Sequence, residues 1–372
     1  MAKQKITIVG AGLGGLALGR CLHQRGIPAI IYDRNSSPPS YNYGITLHAS
    51  AYRPLLKATG ESESTFRSRV AVDAANGAIT TAATGNHVEH DTCFRANRGA
   101  LENWLRQHLD VQWGRGADTV EISSDNSPTN KRIVVGSDGV HSAVRRQLLP
   151  ELELNILPFV VFNGKRRIDT TEYHANLAGH MRGSTVINFK HGDARLNFSL
   201  GGIEKSKASV SWTYSRPWHG VEDPLHKPDR ALSQATAIPE ALFDELKTFS
   251  QACLPRAFAQ LFDETQVRTD RILHWLMRTV PVPQAEVLER WARQGIVLLG
   301  DAVHAHPIIS GNGANMAIQD AVSLAEYIAT IYGTSNIDLS EWIAQRHSSW
   351  LESVQAATQN IDSLHATPSQ RL

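Results

Sequence analysis

The 372-residue chain is poor in cysteine, in net charge and in long apolar runs. Its three cysteines, Cys21, Cys93 and Cys253, are far apart and odd in number, and no Cys-x-x-Cys pair occurs. A metal knuckle or a redox dithiol is therefore unsupported, and the thiols read as buried or incidental ones in a reducing compartment. The net charge is +1, so no electrostatic argument favours nucleic acid or an anionic membrane. No apolar run approaches the roughly 18 residues needed to span a bilayer. A strand follows Met-Ala-Lys-Gln-Lys at once, which leaves no room for a signal peptide. The final Ser-Gln-Arg-Leu is a poor echo of a peroxisomal signal. The expectation is a cytoplasmic protein, monomer or homodimer, with no nucleic-acid partner, no transmembrane segment and no metal.

What is present is an ordinary globular balance, 42% hydrophobic and 20% charged residues, with length for two domains or one large elaborated one. Residues 5–10 read as a buried strand, and Leu16, Ala17, Leu18, Cys21 and Leu22 as the apolar face of a helix capped by Gly26. Ala29 to Asp33 is the next strand, which completes a βαβ unit. Further on, strands are expected at 44–47, weakly around Val70-Ala71-Val72, at 133–136 and at 295–300. Helices are expected at 50–59, 98–109, 138–148, 239–262, 313–331 and 339–364, and residues 110–132 read as short and polar. From 151 to 219 the pattern is mostly β. Residues 209–215 alternate strictly and present Val210, Trp212 and Tyr214 on one face.

Four segments carry chemistry. Gly10-Ala-Gly12-Leu13-Gly14-Gly15 lies between strand and helix, with Asp33 at the end of the next strand. Gly10 permits the tight turn, Gly12 lets a pyrophosphate approach the backbone, and Gly15 lets helix and strand pack closely. The helix N-terminus faces the phosphates, and Asp33, followed by Arg34, is placed to accept from an adenosine ribose. This pattern does not distinguish NAD from FAD. Gly300-Asp301 ends a second buried strand and is followed by Gly311-Asn312-Gly313-Ala314-Asn315. Its carboxylate can reach a ribityl hydroxyl, and the free N–H groups of the next helix can stabilise negative charge on a reduced flavin. The remaining two are Gly136-Ser-Asp138-Gly139-Val-His-Ser142-Ala-Val-Arg145 and Arg98-Gly-Ala-Leu101-Glu-Asn-Trp-Leu105.

Together these segments resemble the FAD-dependent aromatic hydroxylase family, the single-component flavoprotein monooxygenases. The resemblance covers residues 5–34, 95–106, 134–146 and 291–328. It implies that Asp138 lies near FAD and the nicotinamide path, that Arg98 contacts FAD, and that His304 has a structural role near the flavin. His304 and His306 could suggest a metal, but no third ligand is evident. Two departures stand out: the chain is short between Arg98 and Asp138, and the family's proline three residues before the Gly-x-Gly pair falls at Ile308, with Pro307 beside it.

The expected fold is α/β: a Rossmann-like FAD-binding domain assembled from both ends of the chain (1–65, 93–150 and 270–335), an inserted mostly antiparallel β substrate domain (66–92 and 151–269), and a C-terminal helical segment (336–372). The resemblance implies that NAD(P)H reduces FAD, and that a flavin C4a-hydroperoxide then delivers oxygen to a small aromatic or polycyclic, secondary-metabolite-like substrate. Arg166, Arg182 and Tyr214 are the candidates for steering or polarising that substrate. A reductase or dehydrogenase of the same fold, without oxygen insertion, is the alternative. A non-catalytic flavin-fold binding protein of the Rab-escort or dissociation-inhibitor kind is a third reading, disfavoured by the intact Gly300-Asp301 and Gly311/Gly313 segments.

Overall fold

The computed structural model describes residues 5–76, 93–120, 132–334 and 337–366. Two sheets organise them. The first has five parallel strands in the order Ile296–Leu298, Arg132–Gly136, Lys5–Val9, Ala29–Asp33 and Asp110–Trp113. The chain winds one way from Lys5–Val9 to Ala29–Asp33 and the other way to Arg132–Gly136. The switch point therefore falls beside the glycine turn, where open parallel sheets bind ligands. Ile6, Ile8, Ile31, Ile133 and Val135 are buried, as a sheet covered on both faces requires.

Helices Leu13–Gln24 and Gly313–Ile331 pack against each other. Gly14 makes this possible: a Cβ there would stand 2.5 Å from Leu299 Cδ1 and 3.4 Å from the Ala317 Cβ. Helix Ser340–His365 buries Trp342 and Trp350 in the same core. The first domain therefore takes its core from both ends of the chain.

The second sheet is antiparallel, in the order Arg271–Trp275, Phe159–Asp169, Lys207–Pro217, Ala194–Ile203 and Val186–His191. Its two faces differ. Val210, Trp212 and Tyr214 project into a core with Phe162, Phe198 and helix Ala241–Cys253. Ser209, Ser211, Thr213 and Ser215 alternate with them and face the first domain: Asn42 donates to Ser209 Oγ at 2.8 Å, and Ser215 Oγ lies 3.0 Å from His365 Nε2.

Several local expectations change. The weak strand at 70–72 is helix Glu63–Val70, capped by Ser62, followed by a single bridge from Ala71 to Ala96. Phe66 and Val70 consequently pack in the first core, although 66–92 was expected to join the β domain; residues 77–92 lie outside the described ones. The polar stretch 110–132 contributes an edge strand, Asp110–Trp113, whose partner Ala29–Asp33 supplies the missing apolar contacts; residues 121–131 lie outside the described ones. The helical stretch 239–262 is interrupted at Pro255, which cannot continue a hydrogen-bonded turn. Helix 138–148 shortens to Ala143–Leu148, because Asp138 is spent on capping it.

Candidate functional site

The site begins at the carboxyl edge of the parallel sheet. Gly10 has φ +111°, and a Cβ on it would come within 2.4 Å of the Ser137 carbonyl oxygen. A Cβ on Gly15 would lie 2.0 Å from the Gly10 carbonyl oxygen. Only glycine fits either place. Gly12 differs, since nothing lies within 4 Å of its Cβ position. Helix Leu13–Gln24 starts there without a side-chain cap, so its first N–H groups, including those of Leu13 and Gly14, are free for an anion.

Asp33 closes this turn. Its Oδ2 accepts from Ala11 N at 2.8 Å, and its Oδ1 accepts from the backbone and side-chain nitrogens of Asn35 at 2.8 Å. A carboxylate oxygen can accept more than one bond, so capacity for a ribose hydroxyl is left. Arg34 is exposed beside it. Asp138 faces the same turn from the next strand, but its carboxylate is committed to Ser142 Oγ and Ala143 N.

The other end of the chain supplies the opposite wall. Gly300 precedes the short helix Asp301–His304. The Asp301 carboxylate is accessible by surface area yet stands in a recess packed with protein, and desolvation there pushes its pKa up despite His304 and Arg98 nearby. Asp301 Oδ1 lies 3.4 Å from the place a Gly313 Cβ would occupy. Helix Gly313–Ile331 also begins without a side-chain cap, and nothing approaches Gly311 within 4 Å of its Cβ position. The open glycine cradles, the uncapped helix starts and the recessed acid fit a dinucleotide-length cofactor with phosphates at one end and a ring at the other.

Asn315 is a bracket rather than a free group. Its Oδ1 accepts from His48 N at 2.9 Å, and its Nδ2 donates to Thr46 O at 3.0 Å and Gly311 O at 3.2 Å. It thereby pins strand Gly44–His48 to the glycine segment. Ala314 sits one residue earlier in the same first turn.

Arg98 starts helix Arg98–Arg106. It donates to Glu102 Oε1 at 2.9 Å and to Tyr43 Oη, and lies over the Tyr41 ring at 4.4 Å. Burial alone would lower its pKa, but the adjacent Tyr43 and Glu102 raise it overall.

A buried network holds the glycine segment from behind. Asp320 Oδ2 accepts from Gly300 N at 3.0 Å and lies 2.6 Å from His304 Nε2. Its Oδ1 accepts from Arg346 at 2.8 Å and from Trp350 Nε1 at 2.8 Å. Burial opposes its charge, but His304, Arg346 and Trp350 hold the carboxyl down at about 2. His306 turns away to Ser353 Oγ at 2.8 Å, so the two histidines do not converge; among the described residues no three potential ligands cluster. Arg145, the last residue of the Asp138-Gly139 motif, reaches the carbonyls of Ala302 and Val140 from helix Ala143–Leu148. The sequence signal for Asp320 is an acid amid Ala317, Ile318, Ala321 and Leu324, an apolar helix face where a carboxylate must find partners. The signal for Arg145 is its place at the end of the Gly136-to-Arg145 motif, which does not reveal its carbonyl partners.

The three substrate-steering candidates are not brought together. Arg166 forks onto Asp270 at 2.6 and 3.1 Å and reaches the Leu261 carbonyl. Tyr214 donates to Glu245 Oε2 at 2.7 Å inside the second core. Arg182 is exposed in a turn, at φ +50°. The reason is the alternation itself: the aromatic face of that strand is the one that packs against helix Ala241–Cys253, leaving the polar face toward the first domain.

Comparisons with known proteins show the family of the chain. The family described as "FAD binding domain" matches residues 248–349. The chain is 30% identical to the FAD-dependent monooxygenase nscC of Arthroderma benhamiae, over 92% of this chain and 89% of that protein. It is likewise 30% identical to the FAD-dependent monooxygenase adaC of Aspergillus niger, over 97% of this chain and 93% of that protein. Among solved structures, Klebsiella pneumoniae HpxO complexed with FAD and uric acid superposes with a TM-score of 0.68 at 17% identity, covering 99% of this chain and 90% of that one. That likeness speaks for the fold.

Proposed function

The chain belongs to the FAD-dependent aromatic hydroxylase family, the single-component flavoprotein monooxygenases, and we propose that it uses NAD(P)H and O2 to hydroxylate or epoxidise a small aromatic or polycyclic substrate. What supports this reading is that Asp33 closes the Gly10–Gly15 turn, that Gly14 packs on Leu299 and Ala317 of the other end of the chain, and that Gly313 lies beside Asp301.

In this reading the N–H groups from Gly12 to Gly15 bind the pyrophosphate, Asp33 accepts from the adenosine ribose, and Asp301 accepts from the ribityl chain. The free N–H groups at Gly313 and Ala314 face the ring's pyrimidine edge, where negative charge gathers on reduction. Arg34 and Arg98 belong to the FAD contacts, and Asp138 lies near FAD and the path of the nicotinamide donor. FAD, when bound, supplies electron acceptance from NAD(P)H and oxygen activation at its C4a position. The protein's share is orientation, exclusion of water and fixed charge. Asp320 and Asn315 act through the backbone they hold, keeping the two glycine segments in register.

The test follows oxygen. Purified holoenzyme is given NADPH or NADH, a panel of hydroxylated mono- and polycyclic aromatics, and 18O2. The expected result is at least one compound that both accelerates NAD(P)H oxidation and yields product carrying a single 18O atom. NAD(P)H consumption with a reduced or dehydrogenated product and no 18O would instead make the protein a reductase or dehydrogenase of the same fold.

A further inference from the structure

Several arginines enclosed by this fold have acids or paired carbonyls as partners, although an Nε without an acceptor recurs at Arg20, Arg67, Arg145 and Arg230. Arg166 has Asp270, Arg216 has Asp223 and Glu245, Arg346 has Asp320, Arg98 has Glu102, and Arg145 has two carbonyls. Arg95 differs. It lies on strand Cys93–Asn97, paired directly with Thr46 of strand Gly44–His48. Its guanidinium makes one hydrogen bond, from Nη1 to Thr46 Oγ1 at 3.0 Å, and its buried Nε has no acceptor. Burial lowers its pKa to about 10, with only Tyr43 acting the other way. The residue is half-buried, yet its Nε is shut away from water and no acid pairs with it, so the guanidinium has donors left over for an anion.

The position of Arg95 says where that anion would come from. Its stem packs over Gly44, where a Cβ would stand 2.6 Å from Nε and 2.9 Å from the Leu200 carbonyl oxygen of the inserted sheet. Thr46, its partner, is bracketed through Asn315 to the Gly311–Gly313 segment. Arg95 therefore sits where the two domains meet, one strand away from the glycine cradle. From the inserted sheet, Lys165 stands over the Tyr43 ring at 4.2 Å. Burial lowers its pKa, and so do Arg271 and Arg98. Beside Lys165, Ser211 and Ser199 complete a polar row.

We propose that Arg95, with Lys165 across the domain boundary, is the counter-charge for an ionised oxygen on the aromatic substrate, a carboxylate or phenolate, and so selects acidic rings over neutral ones. This rests on the monooxygenase reading for the word substrate, but its test is binding and does not require oxygen transfer. A charge-assisted hydrogen bond in a desolvated site is worth roughly tenfold or more in affinity. Leaving Arg95 in place and offering a neutral isostere removes that bond and leaves the cation unpaired.

The experiment titrates FAD-loaded protein with matched pairs, 1-hydroxy-2-naphthoate against 1-hydroxy-2-naphthamide and salicylate against salicylamide, with the 1-naphthol series to report phenolate above its pKa. Binding is read by calorimetry and by perturbation of the flavin absorbance. Wild type is expected to prefer the acids by about tenfold or more. Arg95→Met should erase that preference while changing amide affinity less than about twofold, and Arg95→Lys should keep part of it. Lys165→Met, at a half-buried position, is the second variant and should reduce the preference in the same direction. A parallel FAD titration separates the cofactor as the source of the anion: the proposal expects the FAD dissociation constant to move less than about twofold. It is overturned if wild type binds no acid better than its amide, if acid and amide weaken equally in both variants, or if FAD affinity falls about tenfold while the acid preference persists. A product free of 18O together with an Arg95-dependent acid preference would refute the oxygenase reading and keep this one.

Discussion

The two domains place their charged and aromatic groups under opposite rules. In the parallel-sheet domain the conspicuous residues, Gly10, Asp33, Gly300, Asp301 and Gly311, gather on one edge, because loops at the carboxyl ends of parallel strands all open the same way. In the inserted domain the conspicuous residues, Trp212, Tyr214 and Arg166, face the far core or its rim, and plain serines face the first domain. A glycine or acid at a strand end therefore marks the candidate cofactor site in the first domain, and a large aromatic side chain marks packing in the second. The difference comes from sheet type: an antiparallel sheet covered by a helix on one side puts its large apolar residues there.

The widest separation between the two domains should come from the network behind the glycine segment. Asp320→Asn leaves Arg346 without its acid and is expected to cost about 3–5 kcal/mol of stability, read by chemical denaturation. It also predicts a pH signature. The Asp320 pKa is depressed in the fold from 3.8 to about 2, so its stabilisation is full above about pH 4 and is lost as pH falls through 2. Wild type should lose stability across that window more steeply than the variant. Equal slopes would mean that the carboxylate is not the hub.

Gly15→Ala should follow, at about 3 kcal/mol, the upper end for overpacking, because the new Cβ meets backbone at 2.0 Å rather than a side chain that can turn. The purified variant should carry little or no FAD, measured as flavin absorbance per protein. Full flavin occupancy would show that the turn relaxes and that the close approach is not needed.

The smallest effect is expected where the aromatic face looks most chemical. Tyr214→Phe removes one hydrogen bond to Glu245, which still accepts from Arg216. It should lower stability by only about 0.5–1.5 kcal/mol and leave substrate-stimulated NAD(P)H oxidation unchanged within twofold. A tenfold loss of that stimulation at unaltered stability would place Tyr214 in the reaction and undo the contrast between the domains.

The legibility of the sequence divides along the same line. The glycine turn, Asp33 and Gly300-Asp301 are readable because their requirements are local: a fixed φ, a close backbone approach, an acid at a strand end. Asn315 is readable as a position but not as a bracket, since two of its three partners, on Thr46 and His48, lie on a strand far away in the chain. Arg95 and Lys165 are invisible in sequence. One is an ordinary strand arginine and the other an ordinary lysine until two domains close around Tyr43. The strict alternation at 209–215 predicts a two-faced strand correctly, but it cannot say which face meets the cofactor domain. That depends on helix Ala241–Cys253 covering the aromatic one.

The most direct measurement is a set of FAD dissociation constants, by fluorescence titration of apoprotein, for wild type, Asp33→Ala, Asp301→Ala and Tyr214→Phe. Asp33 and Asp301 come from opposite ends of the chain, and each is assigned hydrogen bonds to a hydroxyl of the cofactor. The account predicts that each of these two variants binds FAD roughly tenfold or more weakly, the equivalent of about 1.5–3 kcal/mol, while Tyr214→Phe stays within about twofold of wild type. Wild-type affinity in either aspartate variant would contradict a flavin site assembled from both ends of the chain.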